Sequence, residues 1–426
     1  MHEIQTYQCG MTFEYIGRMP TRSLRVFVSL LAFVPAVACT SATDAVETDD
    51  GNEIVNVPQT DVERQAIGNC WLYAHASWVE SMHLTATGES FDVSQSYWTY
   101  WHWFDQIAGG FNDEVSTGGG WAVANEIVKK YGLMRESDFI AADSDNEMSS
   151  RQSSALSAIN ASLKTGVLSD PAKRRDKKVL REEMDRAWGL TPEVSTMLTD
   201  VFGASVTRTF SSSRTQARTE GSKIIRSQDF DVAYTNGTSN AVQQKKLSDA
   251  SREWRQLYYT RGDRQFLIRI QKALHATQPV IVSWFVDFNA MENRNGPLKG
   301  SFNMQTLGEF GPGRQGGHMT VFEDYQAKLA DGTLLAAGET LEPNDPNLAK
   351  ALEPSTKIEF FRVKNSWGAA RPDRAFAPGM PGYHDLYMDY LDGPVKKCVE
   401  RDGQTDPTNC PTQQTPLKYV IMPPGY

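Results

Sequence analysis

The pattern of apolar and polar positions divides the chain into a front half that reads as helix and a back half that reads as strand. In "CWLYAHASWVESMHL" the apolar positions Leu72, Ala76, Val79 and Leu84 recur at helical spacing. "WAVANEIVKKYG" repeats that period and stops at Gly132. "SSALSAINASLKTGV", "DKKVLREEMDRAW" and "RQFLIRIQKALHA" are helical by the same criterion. Beyond them the period changes. "PVIVSWFVDF" and "KIEFFRVKNSW" are rich in β-branched and aromatic residues, and "GHMTVFEDYQAKLADGTLLAAGE" reads as two strands about an Asp-Gly turn. The stretch "GSKIIRSQDFDVAYTNGTSNAVQQKK" is polar and turn-rich and matches neither period. Helices first and strands later predict an α+β architecture of two segregated parts with a cleft between them.

The first residues follow a different logic. Arg22 and Arg25 precede a short apolar run, Val26 to Ala38, that ends in small residues. This is the layout of a secretory signal, and Met19 offers a second start for it. The run is shorter than the roughly 20 apolar residues that span a bilayer. Ala36-Val37-Ala38 matches a simple cleavage site, while Ala36 to Cys39 resembles a bacterial lipobox without its usual leucine. The first reading gives a soluble secreted protein. The second, which we favour, gives acylation at Cys39 and anchoring to a membrane of the bacterial cell envelope. The acidic, polar stretch from residue 39 to 58 suits a flexible tether. The globular composition then runs from 59 to 426.

The 426 residues carry a net charge of −9 with no basic stripe, which argues against nucleic acid as a partner. The five cysteines are too few for a disulfide scaffold. In an exported protein Cys398 and Cys410 are expected to pair across a short surface loop, a closure contributing about 3 kcal/mol. No His/Cys cluster has metal-ligand spacing, and no cofactor motif is present.

Cys70 is different from the other cysteines. It follows Gly68 and opens the first helix, where the partial positive charge of the helix end lowers a thiol's pKa. A thiolate nucleophile needs an imidazole to move protons and a third polar group to orient the ring. Of seven histidines, His2 falls in the leader. His75 and His83 share the helix of Cys70 and turn away from it. His102 lies in an aromatic run and reads as packing, His275 sits within a helix, and His384 after "PGMPGY" reads as surface loop. His318 follows two glycines at the head of an apolar strand, a position that presents a side chain at a cleft edge. Asn365 ends a later strand, with Trp367 beside it.

Gly68-Asn69-Cys70-Trp71, Gly317-His318 and Asn365-Ser366-Trp367-Gly368, in this order, resemble the papain-like cysteine peptidases. "VSQSYWTYW" at 93–101 and "TGGGWAVANEIVKKYG" resemble segments of the bleomycin hydrolase branch, and the long interval from Cys70 to His318 resembles the helical insertion of that branch. The likeness covers about 60–140 and 265–395. It implies a papain-like two-part fold, a helical part and an antiparallel sheet or barrel, with a mostly helical insertion at about 141–262. It also implies a thiol peptidase acting on a peptide or protein substrate. In it Cys70 is the nucleophile, His318 the general base and acid, and Asn365 the group that holds the ring, shielded by Trp367. Gly118 and Gly119 would lie along the substrate backbone. The oxyanion hole would combine the Cys70 N–H with a glutamine. The family keeps that glutamine six residues before the cysteine, where this chain has Arg64, so Gln65, five before, takes the part. Two other activities fit the same residues: a retired papain-like binding or assembly lipoprotein, and a thiol amidase or transpeptidase on cell-wall peptides. Exo- or endopeptidase action stays open, as does the assembly state. The ending "PLKYVIMPPGY" reads as a disordered terminus in preference to a cleft plug.

Overall fold

The computed structural model describes residues 57–426 apart from 111–112, 214, 340, 343, 372–373 and 402. The leader at 1–38, Met19, Cys39 and the tether up to residue 56 lie outside the described residues. Helices form the first part: α1 (Cys70–Thr87), α2 (Gln95–Gly109), α3 (Trp121–Tyr131), α4 (Glu136–Phe139), α5 (Ser150–Thr165), α6 (Pro171–Arg175), α7 (Lys177–Trp188) and α8 (Pro192–Phe202). A hairpin of β1 (Asp231–Asn236) and β2 (Ala241–Lys246) follows, then α9 (Leu247–Glu253), β3 (Arg255–Tyr258) and α10 (Arg264–His275). The second part holds β4 (Ile281–Asp287), β5 (Ser301–Phe302), α11 (Met304–Phe310), β6 (Gln315–Lys328), β7 (Leu334–Leu335), α12 (Pro346–Ala351), β8 (Lys357–Lys364) and β9 (Tyr383–Tyr387). The chain closes with α13 (Met388–Leu391), β10 (Val395–Lys397), β11 (Val399–Arg401), β12 (Gln404–Asp406), β13 (Thr412–Gln414) and β14 (Leu417–Met422).

One sheet organises the second part, in the order β3-β14-β4-β6-β8-β9-β5, with β7 on β6. Its pairs are antiparallel except β5 with β9. The period-2 alternation of strands assigns its two faces. Ile281, Met319, Val321 and Ile421 join the core of the helical part. Val282, Trp284, Phe322, Val420 and Met422 join the core on the other side. The helical core is built on aromatic pairs, such as Trp101 stacked on Tyr131 and Trp78 edge-on to Trp121. The predicted α+β class, with helices before strands, is what the molecule adopts.

Three expectations are corrected. The first half of the insertion at 141–262, as far as Phe202, is helical; its second half contributes β1, β2 and β3, with the short α9 between β2 and β3. The turn Asn236–Asn240 carries the hairpin, with the Asn236 side chain accepting from the Thr238 and Ser239 N–H groups. β2 is largely exposed, so its residues carry no apolar alternation to read. His384 is not on a surface loop but fully buried in β9. The glycines and prolines before it make a turn that ends at Gly382, and the strand begins immediately afterwards. The C-terminal residues are docked. The Gly237 N–H donates to the Pro424 carbonyl, Arg269 donates to Tyr426, and Tyr426 packs on the second core.

Candidate functional site

α1 begins at Cys70, and its first turn carries no acidic residue. Asn69 precedes it but does not cap it. Its side-chain amide instead donates to Thr99 and Gln152. The first turn thus has neither an Asn69 cap nor an acidic side chain to offset its positive end, which acts on the buried Cys70 thiol. α1 packs on β6. A small cavity between them is lined by Ala74 and Ser77 from the helix and by Met319, Thr320, Asn365 and Ser366 from the sheet.

His318 lies in β6 opposite Trp284 of β4, and Asn365 follows the last residue of β8. The antiparallel register of β6 and β8 brings them together: His318 Nε2 is 2.8 Å from Asn365 Oδ1. The amide oxygen only accepts, so Nε2 carries the proton and Nδ1 is bare when the ring is neutral. Trp367 stacks on the His318 ring at 4.8 Å and 18°, and Arg374 covers the same indole at 4.0 Å. Burial pushes the His318 pKa down to about 4; the bond to Asn365 raises it and the Arg374 charge lowers it further. The ring is neutral through the physiological range, and its bare nitrogen is a base.

Gln65 is buried close to this pair. Its Oε1 accepts from the Ser366 hydroxyl at 2.7 Å, and its Nε2 donates to the Ile67 carbonyl at 2.7 Å. A second N–H remains on that nitrogen. The adjoining Arg64 bridges to Trp367. The Gly118-Gly119 segment runs against Trp71, whose indole N–H donates to the Thr117 carbonyl. A Cβ on Gly119 would fall 2.5 Å from the indole ring, so only glycine lets this strip lie so close. His102 packs edge-on to Trp71 and places Nε2 3.2 Å from the Gly118 carbonyl. Cys398 and Cys410 form a disulfide, and the Cys398 N–H donates to Gln315 Oε1 at the start of β6. Among the described residues no group of His, Cys, Asp and Glu is arranged to hold a metal ion, and no helix is long and apolar enough to cross a membrane.

Four neighbours of the site went unread in the sequence. Arg374 comes from an irregular stretch. Tyr419, in β14, feels the charge of Cys70 and reaches Met319. Lys364, immediately before Asn365, is buried and donates to Thr60, near Glu80, whose carboxyl burial lifts to about 7. His384 stands behind Asn365. Tyr383-His384-Asp385-Leu386 has no period-2 alternation to mark a strand, and turn residues stand directly in front of it.

The molecule is thus an α+β protein in which a helix opening with a cysteine packs on a sheet that carries a hydrogen-bonded His–Asn pair. No protein-family model matches the sequence, and no match to a curated protein was found. Among solved structures it is similar to PepW from Lactobacillus rhamnosis, at a TM-score of 0.42 and 12% identity over 88% of this chain and 82% of that one. It is also similar to xylellain, a cysteine protease from Xylella fastidiosa, at a TM-score of 0.34 and 11% identity over 92% and 95% of the two chains. At that distance the chemistry of this chain has to be read from its own side chains.

Proposed function

We propose that the protein is a thiol peptidase of the papain-like kind, with Cys70 as nucleophile. The observation that carries the reading is the His318–Asn365 bond beside the helix that Cys70 opens. His318 Nδ1 takes the thiol proton as the sulfur attacks the substrate carbonyl. The Cys70 N–H and the second Nε2–H of Gln65 stabilise the oxyanion, a term worth about 2.7–4 kcal/mol per donor. The imidazolium then protonates the leaving amine, and a thioester remains on Cys70. Water, deprotonated by His318, releases the acid. Asn365 holds the ring throughout, and Trp367 keeps water from that bond. Gly118 and Gly119 offer an extended backbone edge to the peptide.

The decisive experiment is hydrolysis of a mixed peptide library by the purified chain. Cleavage is expected, together with covalent labelling of Cys70 by a peptidyl epoxide, and Cys70→Ala is expected to abolish both. Hydrolysis that persists in Cys70→Ala ends the reading. For location we propose export with acylation at Cys39. The support is the leader pattern and a disulfide of the kind that persists in oxidising compartments. Partition of the full chain between membrane and soluble fractions separates anchoring from secretion.

A further inference from the structure

Behind Asn365, on the side away from His318, lies a second imidazole. His384 is the second residue of β9 and stands in register with Val363 of β8, two residues before Asn365. It is fully buried among aromatic rings: Trp367 edge-on at 5.2 Å, Phe302 at 5.9 Å and Phe376 at 5.6 Å. Its Nδ1 is 3.3 Å from Asn365 Nδ2. An amide nitrogen only donates, so this contact is a hydrogen bond only when Nδ1 is bare and Nε2 holds the proton. That second nitrogen has no hydrogen-bond partner of ordinary geometry. A buried polar group kept in this way is unfavourable by itself, so packing alone does not account for a histidine here.

We propose that His384 is a positioning residue for the Cys70–His318 chemistry: by accepting the Asn365 amide proton at Nδ1, it fixes which end of that amide faces His318. The inference rests on the peptidase reading. The two ends of one side chain dictate two tautomers. With Nδ2 turned to His384, Oδ1 faces His318, the His318 proton sits on Nε2, and Nδ1 is left to serve Cys70. A flipped amide reverses every assignment: His384 would carry its proton on Nδ1, His318 would turn a bare Nε2 to the amide and protonate Nδ1, and no base would face the thiol. Neither arrangement charges the His384 ring. Burial, Arg374 and His318 all disfavour its imidazolium, holding its pKa at about 3, while the Ala375 backbone group on the other side favours the protonated ring. The ring is thus neutral at any working pH.

Two measurements test this. The first is a long-range ¹H–¹⁵N correlation spectrum of the unaltered, histidine-labelled protein, with His384 assigned by its loss in His384→Asn. The expected result is His384 protonated at Nε2 and bare at Nδ1; a proton on Nδ1 overturns the proposal. This readout does not depend on turnover. The second uses kinetics. His384→Leu removes the acceptor and is expected to lower kcat by about tenfold or more with KM changed less than about twofold. His384→Asn, whose Oδ1 replaces Nδ1, is expected to recover most of that loss. Equal losses in the two variants, or a loss confined to KM, overturn the positioning role. Absence of epoxide labelling in the unaltered protein would instead count against the peptidase reading, and the tautomer would still decide the His384–Asn365 bond.

Discussion

Arg374 lies 4.0 Å over the Trp367 ring, and the His318 ring stacks on the same indole, so a cation, an indole and an imidazole share one cluster. The arrangement has an electrical consequence. The guanidinium opposes a charge on His318, adding to burial and opposing the Asn365 bond. His318 must be neutral to take a proton, so the acid limb of kcat/KM follows its pKa. Replacing Arg374 by leucine removes the opposing charge and raises that pKa. The acid limb of peptide hydrolysis is expected to move to higher pH, by on the order of half a unit. An unmoved profile would mean that the cation is screened from the ring. At this scale Cys70, His318 and Asn365 were legible because each stands at a punctuation mark: a helix start, a paired glycine, a strand end. Arg374 and His384 were not, because Arg374 sits in an irregular stretch and His384 directly follows a run of turn residues, and neither setting carries a period.

At the scale of elements, the strip from Thr117 to Gly120 shows what position in space demands of backbone. It has no regular structure and is held by Trp71 of α1 and His102 of α2. Its glycines were expected to lie along a substrate backbone; the contact with Trp71 shows why one of them has no substitute. Gly119→Ala drives a methyl group into the indole ring. The variant is expected to lose about 1–3 kcal/mol of stability in thermal denaturation, as overpacked sites do. On the proposed function it is also expected to lose hydrolytic rate, because the strip that would carry the substrate backbone is displaced. Full activity and an unchanged melting temperature would show that Trp71 swings aside. The hairpin β1–β2 makes the complementary point. Val232, Ala233 and Tyr234 are buried, and β1 lies against α1, but the exposed β2 carries no pattern. Neither strand was legible in the sequence: β1 is short, and its partner has no apolar face to mark it.

Over the whole molecule, burial of ionisable groups links stability to pH from both directions. Glu136, at the start of α4, is buried with its carboxyl lifted to about 8, chiefly by loss of water, with Asp92 adding to the effect. A raised carboxyl pKa contributes stability that is complete below its ordinary value and is lost as pH rises through the folded one. Glu136→Gln keeps the shape and removes the titration. Relative to that variant, the parent is expected to lose stability steadily between about pH 4.5 and 8, by about 1.4 kcal/mol per unit at most. Denaturant unfolding at several pH values measures it, and a constant difference would place Glu136 in contact with water. Buried histidines act in the opposite sense. His75 sits among Trp78, Trp98 and Trp121 with its pKa lowered to about 3 by burial. What it contributes above pH 6.5 is lost as pH falls toward that value.

The helical period of α1, α3, α5, α7 and α10, and the change to strand-rich runs at β4, β6 and β8, were written in the sequence, because each depends on neighbours within one turn or one pleat. The same local logic singled out the cysteine, the histidine and the asparagine. The tertiary structure alone decided the rest. Antiparallel register sets His384 behind Asn365, while the packing of helix on helix and helix on sheet sets the strip at Gly119 against Trp71 and couples Tyr419 to Cys70. These are contacts between residues tens to hundreds of positions apart. No local period encodes them, since they arise only when separate elements pack on one another.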